Sequence, residues 1–466
     1  MKVVVDGFNL ALEKGTGVAT YGRNLTFSLR EAGHEVHVLY GLPRASGKNT
    51  LLREIAFFDE NARSGFIGRS RRFIDALTDP FARPISPINL SGTVIYKQFV
   101  SRLPAFDHLW NSSNLYEQAA HHFDLYRRRL RVASPKGATI THWTYPLPVK
   151  ACGTKNIYTL HDLVPLRLPY TTLDKKRDYL KLVSLLAKHA DHIVTVSETS
   201  KKDIINILGV SEDKITNTYQ TVSIPKAYLS VPIDTLKDEL FGTFQLEFKK
   251  YFLFYGSIEP KKNIGRIIEA HLASNTDMPL VIVGAQAWKA DRELKLVKHA
   301  TPTLASLSSA IAGLAVHNDL VPGQDRRPND VFKPKVIQVD YATFPQLVNL
   351  IRGALAVTFP SLYEGFGLPI LEAMLCGTPV ITSNIGSMLE IAGDAAILVD
   401  PYNTRDIKQA MIEIAQNPGL CAEMVSRGAF VAKRFSPEAY QKRLEGLYSR
   451  LSAPIATPAE LVPQRA

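Results

Sequence analysis

Three cysteines in 466 residues set the first constraint. Cys152, Cys376 and Cys421 lie far apart and no CxxC occurs, so the chain has neither a disulfide framework nor a zinc ribbon, and a reducing compartment is expected. No apolar run reaches the ~18 residues of a membrane-spanning helix, and no leader-like segment precedes the first strand. Acidic residues are in deficit. The 44 Asp and Glu against 55 Lys and Arg leave a net charge of +11, which points to anionic partners: nucleotide diphosphates, anionic lipid surfaces or nucleic acid. D-x-D is absent throughout, and so is a GxGxxG with an acidic residue closing the next strand, which counts against a bound dinucleotide. What remains is ordinary for a globular chain, with 45% hydrophobic and 21% charged residues and enough length for two domains.

The most informative stretch is Leu355–Pro379, LAVTFPSLYEGFGLPILEAMLCGTP. Its apolar opening, Leu355–Phe359, reads as a buried parallel strand. Glu364, Gly365, Phe366 and Gly367 form a glycine loop, Pro369 suits the first position of a helix, Ile370–Leu375 carry that helix, and Gly377 stops it. A strand, a glycine loop and a helix N-terminus make an anion site, because free N–H groups and the positive end of the helix dipole face outward. Glu364 in the loop and Glu372, expected in the first helical turn, frame that site. Carboxylates are poor company for phosphate but good acceptors for hydroxyl groups, as on a sugar and a ribose.

The same grammar appears elsewhere. Met1–Asp6 is a strand, Gly15-Thr16-Gly17-Val18 a glycine turn, Tyr21–Glu31 a helix and His34–Tyr40 a second strand, so the N-terminal half opens as a Rossmann-like βαβ unit. Asn156–Leu160 is a strand ending in His161-Asp162, which puts His161 at the C-terminal edge of a sheet. Thr218–Val222 is expected as the last strand of the first domain. Tyr251–Tyr255 starts the second, followed by Gly256-Ser257-Ile258-Glu259-Pro260-Lys261-Lys262-Asn263 and a helix over Ile264–Leu272, so lysines stand where a helix dipole already attracts a diphosphate. His189 and His192 have a spacing compatible with a metal but no third ligand nearby, and read as surface histidines at a helix end. Arg63, Arg69, Arg71 and Arg72, and then Arg127–Arg129 with Arg131, are basic clusters interleaved with apolar residues. They suit an anionic membrane surface or a solvated helix face; no recognition motif accompanies them, so nucleic acid is not expected.

The pattern E-G-F-G-L-P-x-L-E-A-M-x-C-G-T-P-V, together with TLHDLVPL and HADHIVTVSETSKKDI, resembles the retaining, nucleotide-sugar-dependent glycosyltransferases of the glycogen-synthase-like class (glycosyltransferase family 4), whose signature is E-x7-E. That resemblance implies two Rossmann-like α/β domains facing across a cleft, the GT-B architecture: 1–230 on the acceptor side, a nucleotide-sugar domain at 249–435 and a crossover helix at 436–452 packing back on the first domain. Scattered charge and Pro232 mark 231–248 as the linker, and the Pro- and Ala-rich 453–466, without periodicity, reads as a disordered tail. The resemblance assigns His161, Glu364 and Lys262 to catalysis and Gly17, Lys261, Tyr341, Gly365, Phe366, Gly367, Leu368 and Glu372 to the donor. Ser257 stands where the family places an arginine for the diphosphate, and Lys261 is the candidate replacement. The implied reaction moves a hexosyl group, mannosyl from GDP-mannose by likeness to bacterial mannosyltransferases, onto a saccharide or lipid-linked saccharide, without metal or resident cofactor. It takes place in the cytoplasm or on the inner face of the cytoplasmic membrane. UDP- or dTDP-hexose donors, a noncatalytic sugar-nucleotide binder and a membrane-surface protein are the competing readings.

Overall fold

A computed structural model describes residues 1–11, 17–43, 54–55, 82–91, 93–94, 103–285 and 335–452. Arg63, Arg69, Arg71 and Arg72 and the tail from 453 lie outside the described residues.

The N-terminal unit runs β1 (Lys2–Asp6), α1 (Gly17–Glu31), β2 (Glu35–Tyr40), β3 (Ser86–Ile88), β4 (His108–Asn111), α2 (Leu115–Tyr126), β5 (Leu130–Val132), β6 (Ile140–Trp143), β7 (Val149–Ala151), β8 (Lys155–Thr159), α3 (Val164–Arg167), α4 (Lys176–His189), β9 (His192–Thr195), α5 (Glu198–Leu208) and β10 (Ile215–Asn217). Its eight-stranded sheet has the order β10-β9-β8-β6-β1-β2-β4-β3, parallel except for the edge strand β3. Val3, Val5, Val36, Val38, Ile157 and Val194 are fully buried, as expected of parallel strands covered on both faces.

The expected strand at Thr218–Val222 is shifted: β10 stops at Asn217, and Tyr219 takes φ +58°, a left-handed conformation no strand holds. The expected linker is also different. After α6 (Lys226–Leu229), residues Ile233–Phe244 form helix α7, which buries Leu236 and Leu240 in the core of the second unit. Pro232 sits at its N-cap and so starts the helix rather than breaking the chain.

The second unit continues β11 (Phe252–Tyr255), α8 (Ile264–Ser274), β12 (Leu280–Val283), β13 (Val336–Val339), α9 (Phe344–Gly353), β14 (Ala356–Phe359), α10 (Leu368–Leu375), β15 (Val380–Ser383), α11 (Gly386–Ala392), β16 (Ile397–Val399), α12 (Thr404–Gln416), α13 (Pro418–Lys433) and α14 (Pro437–Ser452). Six parallel strands lie in the order β13-β12-β11-β14-β15-β16. The last helix, α14, packs on α1 of the first unit, burying Tyr440, Leu444, Leu447 and Tyr448. The Tyr448 hydroxyl lies 2.6 Å from His142 Nδ1 on β6, and a His142–Thr159 contact of 2.8 Å anchors the other ring nitrogen. Two Rossmann-like units, with the C-terminal helix crossing back, are therefore present as the sequence implied. Parallel sheets place their functional loops at the carboxyl ends of the strands, and here both sets of loops meet.

Candidate active site

The loops after β11 and β14 are pinned together before any side-chain chemistry begins. Leu362 N–H donates to the Lys261 carbonyl at 2.8 Å. Asn263, at φ +63°, donates through Nδ2 to the carbonyls of Pro360 (3.0 Å) and Pro401 (2.6 Å), joining three strand-end loops. The result is a tight ion cluster: Lys262 Nζ lies 2.6 Å from Glu364 Oε1, and Lys261 Nζ 3.3 Å from Glu364 Oε2 and 3.7 Å from Glu259 Oε1. Lys262 also stands 4.7 Å over the Phe359 ring.

Glu364 is buried. Burial alone would raise its carboxyl, but Lys261 and Lys262 outweigh that and hold it below the usual carboxylate range. Lys261 is the mirror case: burial opposes its charge, while Glu364 and Glu259 push it upward. Ser257, at the position where the resembled family places an arginine, donates to Glu259 Oε1 at 3.0 Å and so braces the loop.

Glu372 does not lie in the first helical turn. Helix α10 begins at Leu368 with Pro369 second, and no acidic residue occupies its first turn. Glu372 is inside the next turn, with Oε2 2.8 Å from the Tyr255 hydroxyl, and burial raises its pKa. Neither α10 nor α1 carries an acidic residue in its own first turn. These two N-termini converge: a methyl group on Gly17 would lie 3.6 Å from Leu368 Cδ1. Two helix dipoles and two lysines face one region, which suits a diphosphate.

The first unit closes against this region. A methyl group on Gly365 would lie 2.8 Å from the His161 carbonyl oxygen and 2.9 Å from Asp162 Oδ2, so the loop passes His161-Asp162 at a distance only glycine permits. Ser200 Oγ donates to the Gly365 carbonyl at 3.3 Å, and the Tyr363 hydroxyl bonds the buried Asp203. From α11, Glu390 accepts from the backbone N–H groups of Glu198 (2.8 Å) and Thr199 (3.0 Å) at the start of α5. His161 itself donates through Nε2 to the Thr144 carbonyl at 2.9 Å and meets the Tyr21 ring edge-on at 4.8 Å.

Of the candidates read from the sequence, the structure gathers Lys261, Lys262 and Glu364 into one cluster, brings His161 to Gly365 and Gly17 to Leu368, and gives Gly367 a φ of +123° at the helix N-cap. Phe366 is otherwise occupied: its side chain is buried between Tyr219 (6.4 Å) and Phe435 (5.6 Å), leaving only its backbone for a ligand. Tyr341 stands beyond the edge strand β13, 79% exposed, with no contact to the lysine cluster among the described residues. His192, expected at the surface, is buried. It lies on β9, 6% exposed and bonded to Thr216 Oγ1 at 2.8 Å, rather than on the surface.

The sequence reading missed Tyr255, Asp203, Ser200 and Glu390. Their only signal was position just beyond or near a strand end, and their partners lie more than 100 residues away. Among the described residues, Glu35, His37 and His108 come close enough to share a cation, at the opposite end of the first sheet. There Trp110 Nε1 donates to His37 Nδ1 at 2.9 Å, so His37 Nε2 carries the ring proton and points it at Glu35 rather than at a metal.

Comparison with known proteins agrees with this geometry. The family description "Glycosyltransferase Family 4" matches residues 94–222, and "Glycosyl transferases group 1" matches 333–429. The chain is 31% identical over 290 residues to O-antigen chain mannosyltransferase B of Escherichia coli, covering 60% of this chain and 67% of that one. It is 27% identical over 290 residues to O-antigen chain mannosyltransferase RfbU of Salmonella typhimurium, covering 62% and 67%. Against the serotype-specific mannosyltransferase WbdA of Escherichia coli it is 25% identical over 304 residues, but spans only a third of that protein (33%). Among solved structures, sucrose-phosphate synthase from Thermosynechococcus elongatus superposes with a TM-score of 0.60 at 16% identity, covering 97% of this chain and 99% of that one. HepE of Anabaena in complex with UDP-glucose gives 0.60 at 15% identity, covering 96% and 100%. At such identities the structures establish the fold alone.

Proposed function

The chain belongs to the family 4 glycosyltransferases, and from that premise we propose that it moves a mannosyl group from GDP-mannose, with retention of anomeric configuration, onto a saccharide or lipid-linked saccharide during O-antigen-type polysaccharide assembly. The O-antigen mannosyltransferases among its relatives support the sugar and the pathway class. The observation that carries the chemistry is the Lys261–Lys262–Glu364 cluster, in which Glu364 stands on the loop that leads into α10, whose first residue, Leu368, meets Gly17 at the start of α1.

In this reading the donor diphosphate takes the two lysines, which with the dipoles of α1 and α10 stabilise charge developing on the leaving phosphate. Positive charge comes from the chain itself, and this supports a reaction that needs no divalent ion. Arrival of phosphate on the lysines frees the Glu364 carboxylate to accept from sugar hydroxyls, and Glu372, held by Tyr255, serves the ribose. The Gly365–Leu368 backbone lies against sugar or phosphate. With no nucleophile assigned on the reacting face, the acceptor attacks from the side the phosphate leaves, and the phosphate takes its proton. His161 borders the sugar.

No helix among the described residues is long and apolar enough to cross a membrane. The exposed Leu125 and Tyr126 beside Arg127 and Arg128 support peripheral contact with an anionic cytoplasmic surface.

The test is thermal-shift binding of GDP, UDP, dTDP and ADP with EDTA present, since a ligand that binds the native state raises its melting temperature. A selective shift with GDP supports the reading. A shift with UDP or dTDP alone replaces the donor, and no shift with any of the four removes the nucleotide site.

A further inference from the structure

We propose that Asp6 is a positioning residue that fixes the His161 imidazole with its proton on Nε2 and its lone pair on Nδ1, so that His161 accepts a hydrogen bond from a hydroxyl in the cleft.

Asp6 ends strand β1. Asp6 is fully buried, an expensive place for a carboxylate unless its oxygens are used. Both are: Oδ1 accepts from the Phe8 backbone N–H at 3.1 Å, and Oδ2 from the Thr144 backbone N–H in a short bond. One carboxylate therefore ties the loop after β1 to the loop after β6. The carbonyl of the same residue, Thr144, accepts from His161 Nε2 at 2.9 Å.

A carbonyl oxygen can only accept, so Nε2 is the protonated nitrogen, and in a neutral ring the lone pair belongs to Nδ1. Burial favours that neutral ring. The Tyr21 ring, edge-on to the imidazole with an interplanar angle of 85°, blocks tilting, and its own hydroxyl is anchored 3.1 Å from Thr159 Oγ1. An asparagine at position 6 offers a single acceptor oxygen and turns its NH2 against one of the two backbone N–H groups. The carboxylate, not merely a polar residue, is what the arrangement uses.

The consequence is chemical selectivity. Nδ1 with a lone pair rejects a phosphate oxygen and accepts a hydroxyl, and His161 sits where Gly365 of the second unit closes on the first. Identification of that hydroxyl as one on a donor sugar rests on the function proposed above; the tautomer does not.

The experiment is long-range 1H–15N spectroscopy of the full chain labelled with 15N-histidine, with the His161 signals assigned by His161→Gln. In the ligand-free wild type, His161 shows a protonated Nε2 and an unprotonated Nδ1. In Asp6→Asn its two nitrogen shifts move toward each other as tautomers mix, and Asp6→Glu, which keeps the carboxylate, moves back toward wild type. A wild-type ring protonated on Nδ1 overturns the proposal, as does a folded Asp6→Asn with unchanged shifts. If Asp6→Asn does not fold, the wild-type tautomer and the Asp6→Glu spectrum decide. Adding GDP-mannose at a concentration shown by calorimetry to saturate the protein shifts Nδ1 more than Nε2; a saturated protein without that shift overturns the acceptor role. Failure of any nucleotide sugar to bind, with the tautomer as stated, counts against the proposed function alone.

Discussion

The Gly365 α-carbon passes so close to the His161 carbonyl that a single added methyl group would sit 2.8 Å from that oxygen. The contact joins the signature loop of the second unit to the histidine edge of the first, and the His161 carbonyl cannot yield cheaply because it is backbone. Gly365→Ala is expected to push the units apart, lowering transfer at least tenfold and stability by about 1–3 kcal/mol. Gly17→Ala, whose methyl meets Leu368 at an ordinary 3.6 Å, is expected to leave the melting temperature unchanged. Initial rates and melting curves of the two variants check this; equal behaviour would remove the close approach as a constraint.

Glu390 acts as a cap borrowed from the other unit. Its carboxylate accepts from Glu198 N–H, Thr199 N–H and Thr199 Oγ1 (3.1 Å), where a helix N-terminus favours negative charge. Glu390→Ala is predicted to cost about 1 kcal/mol of stability and to broaden the distribution of inter-unit distances in small-angle scattering. An unchanged scattering profile would mean the cap does not restrain closure.

Acid should destabilise the protein in a defined window. Burial drives His142 down to about 3 and His192 to about 4, both below the ordinary value of 6.5. Between those values the unfolded chain binds protons that the folded one refuses, so stability falls as pH drops below about 6.5. Asp6 works the other way: burial raises it to about 6, so across the range from about 4 to 6 the folded state holds the extra proton and acid relieves a cost. The two histidine shifts together exceed the Asp6 shift, so the net prediction is a melting temperature that declines from pH 6.5 to 4.5. His142→Gln, which cannot charge, should flatten that decline; an unaltered slope would contradict the assignment.

Local sequence carried much of this fold. Runs such as Phe252–Tyr255 and Leu280–Val283 are strands because apolar residues in a parallel sheet bury both faces, and glycine followed by proline located the start of α10 to within a residue. The lysine pair and Glu364 were visible as charges beside glycine loops. Hidden from the sequence were features set by distant partners. Tyr219 leaves the strand conformation because its ring is used between Phe366, Phe435 and Arg443, at 6.4, 5.3 and 5.0 Å. Scattered charge and Pro232 make 233–244 read as a linker, yet the segment is a helix whose Leu240 fills space beside Gly353, on a helix more than a hundred residues later. Pro369 followed by Ile370–Leu375 places Glu372 in the first turn, but the helix starts at Leu368, which puts Glu372 one turn further in.

The central claim is that Lys262 and Lys261 hold the donor diphosphate and that Glu364 occupies them until it arrives. Calorimetric titration of GDP, with UDP in parallel, into wild type, Lys262→Ala and Glu364→Gln addresses it directly. The account predicts at least a tenfold loss of affinity in Lys262→Ala, and binding in Glu364→Gln as tight as wild type or tighter, with transfer abolished in both. Lys262→Ala binding the nucleotide as tightly as wild type would contradict it.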